Sequence, residues 1–306
     1  MKKEKIIIGA RNSKLALIYA QKVRNKILDN SNFKDDQIFI KGILSEGDQV
    51  QDKRLSEMGG KGLFSKNIEK ELQEGNIDIA VHALKDMPAI ETEGLSSNFF
   101  LKRNDPREVL ISRDKIKLKE LKSKSIIGTS SFRREFQIKK LKSDISCKLI
   151  RGNVETRLRK LKEGLYDGII LSFAGIKSLK LENEITQIFL TNEIIPSAGQ
   201  GVISAQCKDD DYEIIDLLKK INDTETYNCA LAERDVLKIL EGDCGTAVGA
   251  HATIIENKIS LEAELFSFDG SKRFYEKLTK DKRYFDKIGL EIGKKLKNKS
   301  KGSYKK

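Results

Sequence analysis

Ile126-Ile127-Gly128-Thr129-Ser130-Ser131-Phe132-Arg133-Arg134 is an apolar run that stops at a glycine, passes three hydroxyl residues and opens into a mixed apolar and charged pattern. This order predicts a buried strand over residues 126–128, a turn, and a helix over 131–140. The same signals recur on both sides of it. Downstream come a strand at 147–150, a helix at 154–162 behind Asn153, and a strand at 168–171. Upstream, a strand at 6–8 ends at Gly9, and Ser13 caps a helix with Leu15, Ile18, Val23 and Ile27 along one side. A strand at 38–44 follows, then a helix at 63–72 behind Gly59-Gly60-Lys61-Gly62, and a strand at 77–81 running into the polar turn 82–88. Strands alternating with helices predict α/β units with mainly parallel sheets, whose ligands sit beyond the carboxyl ends of the strands.

Two segments interrupt the alternation. Residues 102–106 and Pro196-Ser197-Ala198-Gly199-Gln200-Gly201 read as crossings between two lobes, so residues 202–207 are expected to rejoin the first lobe's sheet. Beyond residue 223 the pattern changes. An amphipathic helix at 224–240, alternating runs at 247–255, 258–266 and 272–278, and a helix from about 284 to 296 make a small α+β unit. The predicted domains are 1–101 with 202–219, then 106–196, then 223–306. A chain of 306 residues has room for three, at roughly 100–150 residues each.

Composition narrows the function. There are 58 basic and 46 acidic residues, a net charge of +12. Residues 294–306 are lysine-rich and carry no acid. They read as a frayed, solvated tail, with a nucleic-acid-binding arm as the competing reading. Cysteines stand at 147, 207, 229 and 244 without a CxxC pair, and with only two histidines no zinc pattern can be drawn. Residues 1–5 lead directly into a strand-like run without a signal peptide's apolar stretch, and nothing approaches the ~20 apolar residues of a membrane span. A cytoplasmic protein with reduced thiols is expected.

Only 14 of the basic residues are arginine, and five of these crowd one region: Arg133, Arg134, Arg151, Arg157 and Arg159. Arginine's planar fork binds carboxylate or phosphate bidentately, which lysine cannot do. Ser131, Arg133 and Arg134 stand where a strand feeds a helix, a place that attracts anions through free N–H groups and the helix dipole. Cations there are locally unfavourable, which calls for an anion nearby; an exposed basic helix end with ordinary capping is the alternative. Arg151 and Arg157 flank the next such junction around the capping residue Asn153, and Arg11 with Ser13 occupies the matching place in the first lobe. The set suits a ligand with several carboxylates. No Walker-type or GxGxxG loop follows any strand, which disfavours a nucleotide.

Asp86, beside Lys85 at the end of a strand, could move protons or stabilise positive charge; a surface Lys–Asp turn before Pro88 is the alternative. His82 and His251 read as structural. Cys244 lies between Gly242 and Gly245, where an accessible thiol is either a nucleophile or attachment point, or idle in a turn.

Taken in order, Arg11–Leu17, 59–64, 82–88, 102–107, 128–134, 151–157, 199–201 and the Cys244 loop resemble the hydroxymethylbilane synthase (porphobilinogen deaminase) family over almost the whole chain. The resemblance implies two lobes like those of periplasmic binding proteins and a third domain with a cysteine loop. It implies a monomeric transferase of tetrapyrrole biosynthesis that deaminates four porphobilinogens, joins them on a dipyrromethane cofactor held by Cys244 through a thioether, and hydrolyses off linear hydroxymethylbilane. Asp86 would be catalytic. Ser131, Arg133, Arg134, Lys85 and Asp86 would hold the cofactor. Arg11, Ser13, Arg151 and Arg157 would bind substrate, with Lys61 and Phe64 on a mobile loop. No metal is implied. The chain departs from the family's pattern at Ala83 (usually Ser), Tyr19 (often Gln) and Ser178 (commonly Arg). The last removes one carboxylate contact, for which Lys177 could partly substitute. Two rivals remain: a non-enzymatic anion binder, which gives Cys244 no role, and a nucleic-acid binder that depends on the lysine tail.

Overall fold

The computed structural model describes residues 3–45, 62, 64–242 and 245–305. The first lobe opens with β1 (Ile6–Arg11), α1 (Lys14–Asp29), β2 (Ile38–Ile43), α2 (Lys66–Gln73), β3 (Ile79–Ala83) and β4 (Leu95–Phe100). Ser13 caps α1, its Oγ accepting from Ala16 N at 3.4 Å. The face of α1 that packs on the sheet is Tyr19, Ala20, Val23 and Ile27, against Ile6, Ile8 and Val81. Ile18 is only half-buried. Fully burying Val23 or Ile27 contributes about 1.5–3 kcal/mol each.

The second lobe holds β5 (Glu108–Ser112), β6 (Ile126–Gly128), α3 (Phe132–Leu141), β7 (Ser146–Lys148), α4 (Val154–Lys162), β8 (Gly168–Ser172), α5 (Phe173–Ser178) and β9 (Gln187–Ile188). The chain then returns to the first lobe as β10 (Ile203–Lys208), followed by α6 (Tyr212–Ile221). Strand order is β2-β1-β3-β10-β4 in one sheet and β7-β6-β8-β5-β9 in the other. In each, the half bearing the strand-to-helix junctions is parallel, as predicted. The other half is antiparallel, because β10 and β5 run back against their neighbours, so both sheets are mixed. The two crossings lie side by side. Gly201 (φ +82°) accepts from Asn104 N at 2.8 Å, and a Cβ on it would stand 2.5 Å from Asn104 O, so a side chain there is doubly excluded.

The C-terminal unit is α7 (Thr224–Leu240), a three-stranded antiparallel sheet of β11 (Val248–Ile255), β12 (Lys258–Phe266) and β13 (Arg273–Asp281), and α8 (Phe285–Ser300). One buried carboxylate ties it to both crossings. Glu233 on α7 accepts from Arg103 at 2.5 and 3.2 Å, from Gly199 N at 2.7 Å and from Ala252 N at 2.7 Å. Burial would raise its pKa, but Arg103 and His251 hold it down at about 2.

The lysine tail is not frayed. Helix α8 runs to Ser300, Tyr304 is buried with its hydroxyl donating to Leu240 O at 3.1 Å, and Lys297 and Lys305 both bond Glu241. The composition hid this, because one aromatic anchor outweighs a run of solvated charges. Tyr304→Ala should cost about 2–3 kcal/mol and lower Tm by roughly 5 °C. A melting curve unchanged by the substitution would show that the tail is not anchored.

Candidate functional site

The site grows from the carboxyl ends of β1 and β3, which run parallel with Ala10 opposite Val81. β1 delivers Arg11. β3 leads into the short turn Leu84–Asp86, which turns the Asp86 carboxylate back toward it. Arg11 Nη1 stands 3.8 Å from Asp86 Oδ2, and the guanidinium lies 4.1 Å from the centre of the Phe64 ring. Arg11, Ser13, Tyr19, Phe64, His82 and Asp86 line a pocket here. His82 stays behind the site. Its Nε2 meets Gln206 Oε1 at 3.1 Å, and burial lowers its pKa, so it is a neutral structural histidine, held on β3 rather than in the turn expected from the sequence.

The second lobe brings its cations to the same space. Ser131 caps α3, accepting from Arg134 N at 3.4 Å, and Asn153 caps α4, accepting from Thr156 N at 2.8 Å. Arg157 donates to Gly152 O at 2.8 Å. Burial lowers the Arg157 pKa to about 10; Arg134 and Arg151 push the same way, Asp86 opposes them, and Arg11 adds to the lowering. Arg157 therefore feels Arg11 and Asp86 across the gap between lobes. Lys85 donates to Gln200 Oε1 at 3.2 Å, and its pKa falls to about 8 through burial and then Arg134, with Asp86 opposing. Arg11, Lys85 and Arg157, from two lobes, thus act on the one carboxylate at Asp86, and Arg134 and Arg151 act in turn on Arg157.

The anion demanded by the Arg133–Arg134 pair is internal. Glu108, fully buried on β5, accepts from Arg133 at 2.5 Å and from Arg134 at 3.0 and 2.8 Å. Burial would raise the Glu108 pKa, but Arg134 and Arg133 hold it at about 2. Arg133 also donates to Ile195 O and is 4% exposed, so it braces the interior rather than facing the cleft. Arg134, 8% exposed, donates as well to Ile170 O. A sequence signal for Glu108 existed: a lone carboxylate opening the apolar run Val109-Leu110-Ile111 directly after a crossing. Lys61 and Cys244 lie outside the described residues. Two departures meet: Ser178, on the second lobe, acts on the Tyr19 phenol of the first and accepts from Lys22 at 3.1 Å.

Residues 6–216 match porphobilinogen deaminase, dipyromethane cofactor binding domain, and residues 227–298 match porphobilinogen deaminase, C-terminal domain. The chain is 44% identical to the porphobilinogen deaminase of Halalkalibacterium halodurans over 89% of this chain and 88% of that one. It is 37% identical to that of Nitrosomonas europaea over 96% and 95%, and 41% identical to that of Bacillus cereus over 96% and 94%. Among solved structures it is similar to the Bordetella pertussis BvgS periplasmic VFT2 domain, with a TM-score of 0.44 and 10% identity over 72% of this chain and 87% of that one. Two family domains matched in order, with full-length relatives at this identity, place the chain in the porphobilinogen deaminase family.

Proposed function

We propose that this chain deaminates porphobilinogen and joins four of the resulting units into linear hydroxymethylbilane, with Asp86 as the catalytic carboxylate and Cys244 as the cofactor's attachment point. The observation that carries this reading is the grouping of Arg11, Lys85 and Arg157 on Asp86, with Arg134 and Arg151 acting on Arg157 beside them. Each pyrrole ring brings two carboxylates, so a dipyrromethane fits a cleft whose cations depress one another. When bound, that group supplies the pyrrole carbon to which the first substrate unit is joined.

The residues' own work follows from their positions. Lys85 and Arg134 hold carboxylates of the cofactor, while Arg151, Arg157 and Arg11 hold those of the substrate, which fixes the reacting carbons side by side. Arg133 enters this scheme only by fixing Glu108 and so the start of α3. When the substrate's C–N bond breaks and ammonia leaves, positive charge develops on the pyrrole. A fixed carboxylate at Asp86 stabilises that charge and accepts a hydrogen bond from the ring N–H. Phe64, stacked on Arg11, limits water at that carboxylate.

Domain boundaries at 1–101 with 202–219, 106–196 and 223–306, a monomeric state and a cytoplasmic location complete the proposal. No described helix is long and apolar enough to cross a membrane. Intact-mass measurement tests the tether. The wild-type chain made in cells competent for haem synthesis should exceed its sequence mass by one dipyrromethane, and Cys244→Ser should lack the excess. A wild-type chain at sequence mass that leaves porphobilinogen unconsumed would overturn the function.

A further inference from the structure

We propose that Glu264 on β12 is a positioning residue for the cofactor: bonded to Lys140 on α3, it fixes the tether end of the C-terminal sheet against the helix whose first turn carries Arg134. The side chains of β12 alternate. Leu261, Ala263 and Leu265 share a core with α7 and α8, so Glu264 and Phe266 face the other way. That face meets the second lobe. Lys140 donates to Glu264 Oε1 at 3.2 Å, and Phe136, one turn earlier on α3, packs on Phe266 with ring centres 5.6 Å apart. The approach is close, since a Cβ on Gly270, between β12 and β13, would stand 2.5 Å from the Phe136 ring. Arg133 and Gln137 share this side of α3 at helical spacing. Gln137 exchanges hydrogen bonds with the Ile195 backbone at 3.0 and 2.6 Å, and Ala250 N on β11 donates to the next carbonyl, Pro196 O, at 2.9 Å. One side of α3 thus binds both the second crossing and the C-terminal sheet.

The contact sits beside the tether. β11 begins at Val248, four residues after Cys244. Gly249 lies opposite Glu264, and Phe266 N donates to Ala247 O at 3.0 Å. Glu264 is fully buried and shares Oε1 between Lys140 and Arg273, while its Oε2 accepts no hydrogen bond among the described residues. A half-bonded buried carboxylate is a poor source of stability. What it supplies is alignment, because it is satisfied only while α3 and β13 stand in one register with β12. The cofactor is gripped at two points, by its thioether on the C-terminal unit and by its carboxylates on the second lobe. A thioether swivels, so the rings are fixed only if those two points are fixed relative to each other. A small slip of the sheet along α3 would misplace the reacting carbon without removing any group that touches substrate.

This role rests on the proposed activity, and the two fail differently. Lys140→Met and Glu264→Gln are made singly and together in the full chain, with the cofactor checked by intact mass. Each single variant should keep the cofactor and lower kcat for porphobilinogen about 10-fold, with KM within about twofold. The double variant should be no slower than the worse single one, because both cut the same contact. Lys140→Arg should recover most of kcat, since a guanidinium reaches the same oxygen. Ile259→Val, buried at the far end of β12 opposite Ile254, is the control: it should lower Tm with kcat within about twofold. Lys140 is partly exposed, so Lys140→Met keeps the test readable where Glu264→Gln fails to fold. Near-normal kcat in Lys140→Met with a lowered Tm overturns the role, because Glu264 is then only a strut between units. Losses that multiply in the double variant overturn it too, as does loss of the cofactor's mass from a folded single variant. A wild-type chain that consumes no porphobilinogen instead rejects the activity, and this role with it.

Discussion

Asp86→Asn should leave a folded protein at its full cofactor-bearing mass whose kcat for porphobilinogen falls by about 10²–10³. Asparagine keeps the shape and an acceptor oxygen but not the charge. Developing positive charge on the pyrrole then faces Arg11, 3.8 Å from the same position, with nothing to offset it. The sign of the KM effect discriminates further. Asp86 is the acid that opposes the lowering of both Lys85 and Arg157, so removing it makes the cleft more positive. Carboxylate binding should strengthen, and KM should stay level or fall while kcat collapses. Asp86→Ala should lose a similar factor, because charge rather than shape is at stake. Steady-state kinetics beside intact mass provide the check, and near-normal turnover in Asp86→Asn would remove the residue from the chemistry.

How much of this was legible in the sequence follows from the range of each interaction. Capping by Ser13 and Asn153 is local, within three residues, and the structure places both as read, while Ser131, read as the first residue of its helix, is that helix's cap. The helix at 224–240 was bounded to the residue by its apolar period, and in the structure Asp223 caps it. The antiparallel halves of the sheets were not visible. β4 and β5 flank a crossing, and alternation with helices, the signal in use, is absent there. The site divided the same way. The need for an anion beside Arg133 and Arg134 could be argued from the helix dipole, whereas its source, Glu108, lies 25 residues before Arg133 on β5, beyond β8 in the sheet. Ser178 read as a lost contact, because no spacing rule joins it to Lys22, 156 residues away on the other lobe.

Glu108→Gln should be the most damaging single change to stability outside the cofactor's tether. The amide keeps the volume but leaves Arg133 and Arg134, 4% and 8% exposed, as two buried guanidiniums without the carboxylate they both bond. Breaking a buried pair from one side costs about 3–5 kcal/mol, and Tm should fall by on the order of 10 °C. The pH dependence carries its own sign. A carboxylate held at about 2 in the folded chain, against an ordinary 4.5, stabilises fully above the ordinary value, and that contribution is lost as pH falls from there toward 2. Wild type should therefore lose stability across that window, and Glu108→Gln should lack this component. Adding Arg133→Met should recover part of the loss, since one of the two uncompensated charges goes with it. The double variant should also keep the cofactor's mass, because Arg133, 4% exposed, bonds Ile195 O and Glu108 in the interior. Loss of that mass in the double variant, with folding intact, would mean that Arg133 holds the ligand directly and that Arg134 alone does not suffice.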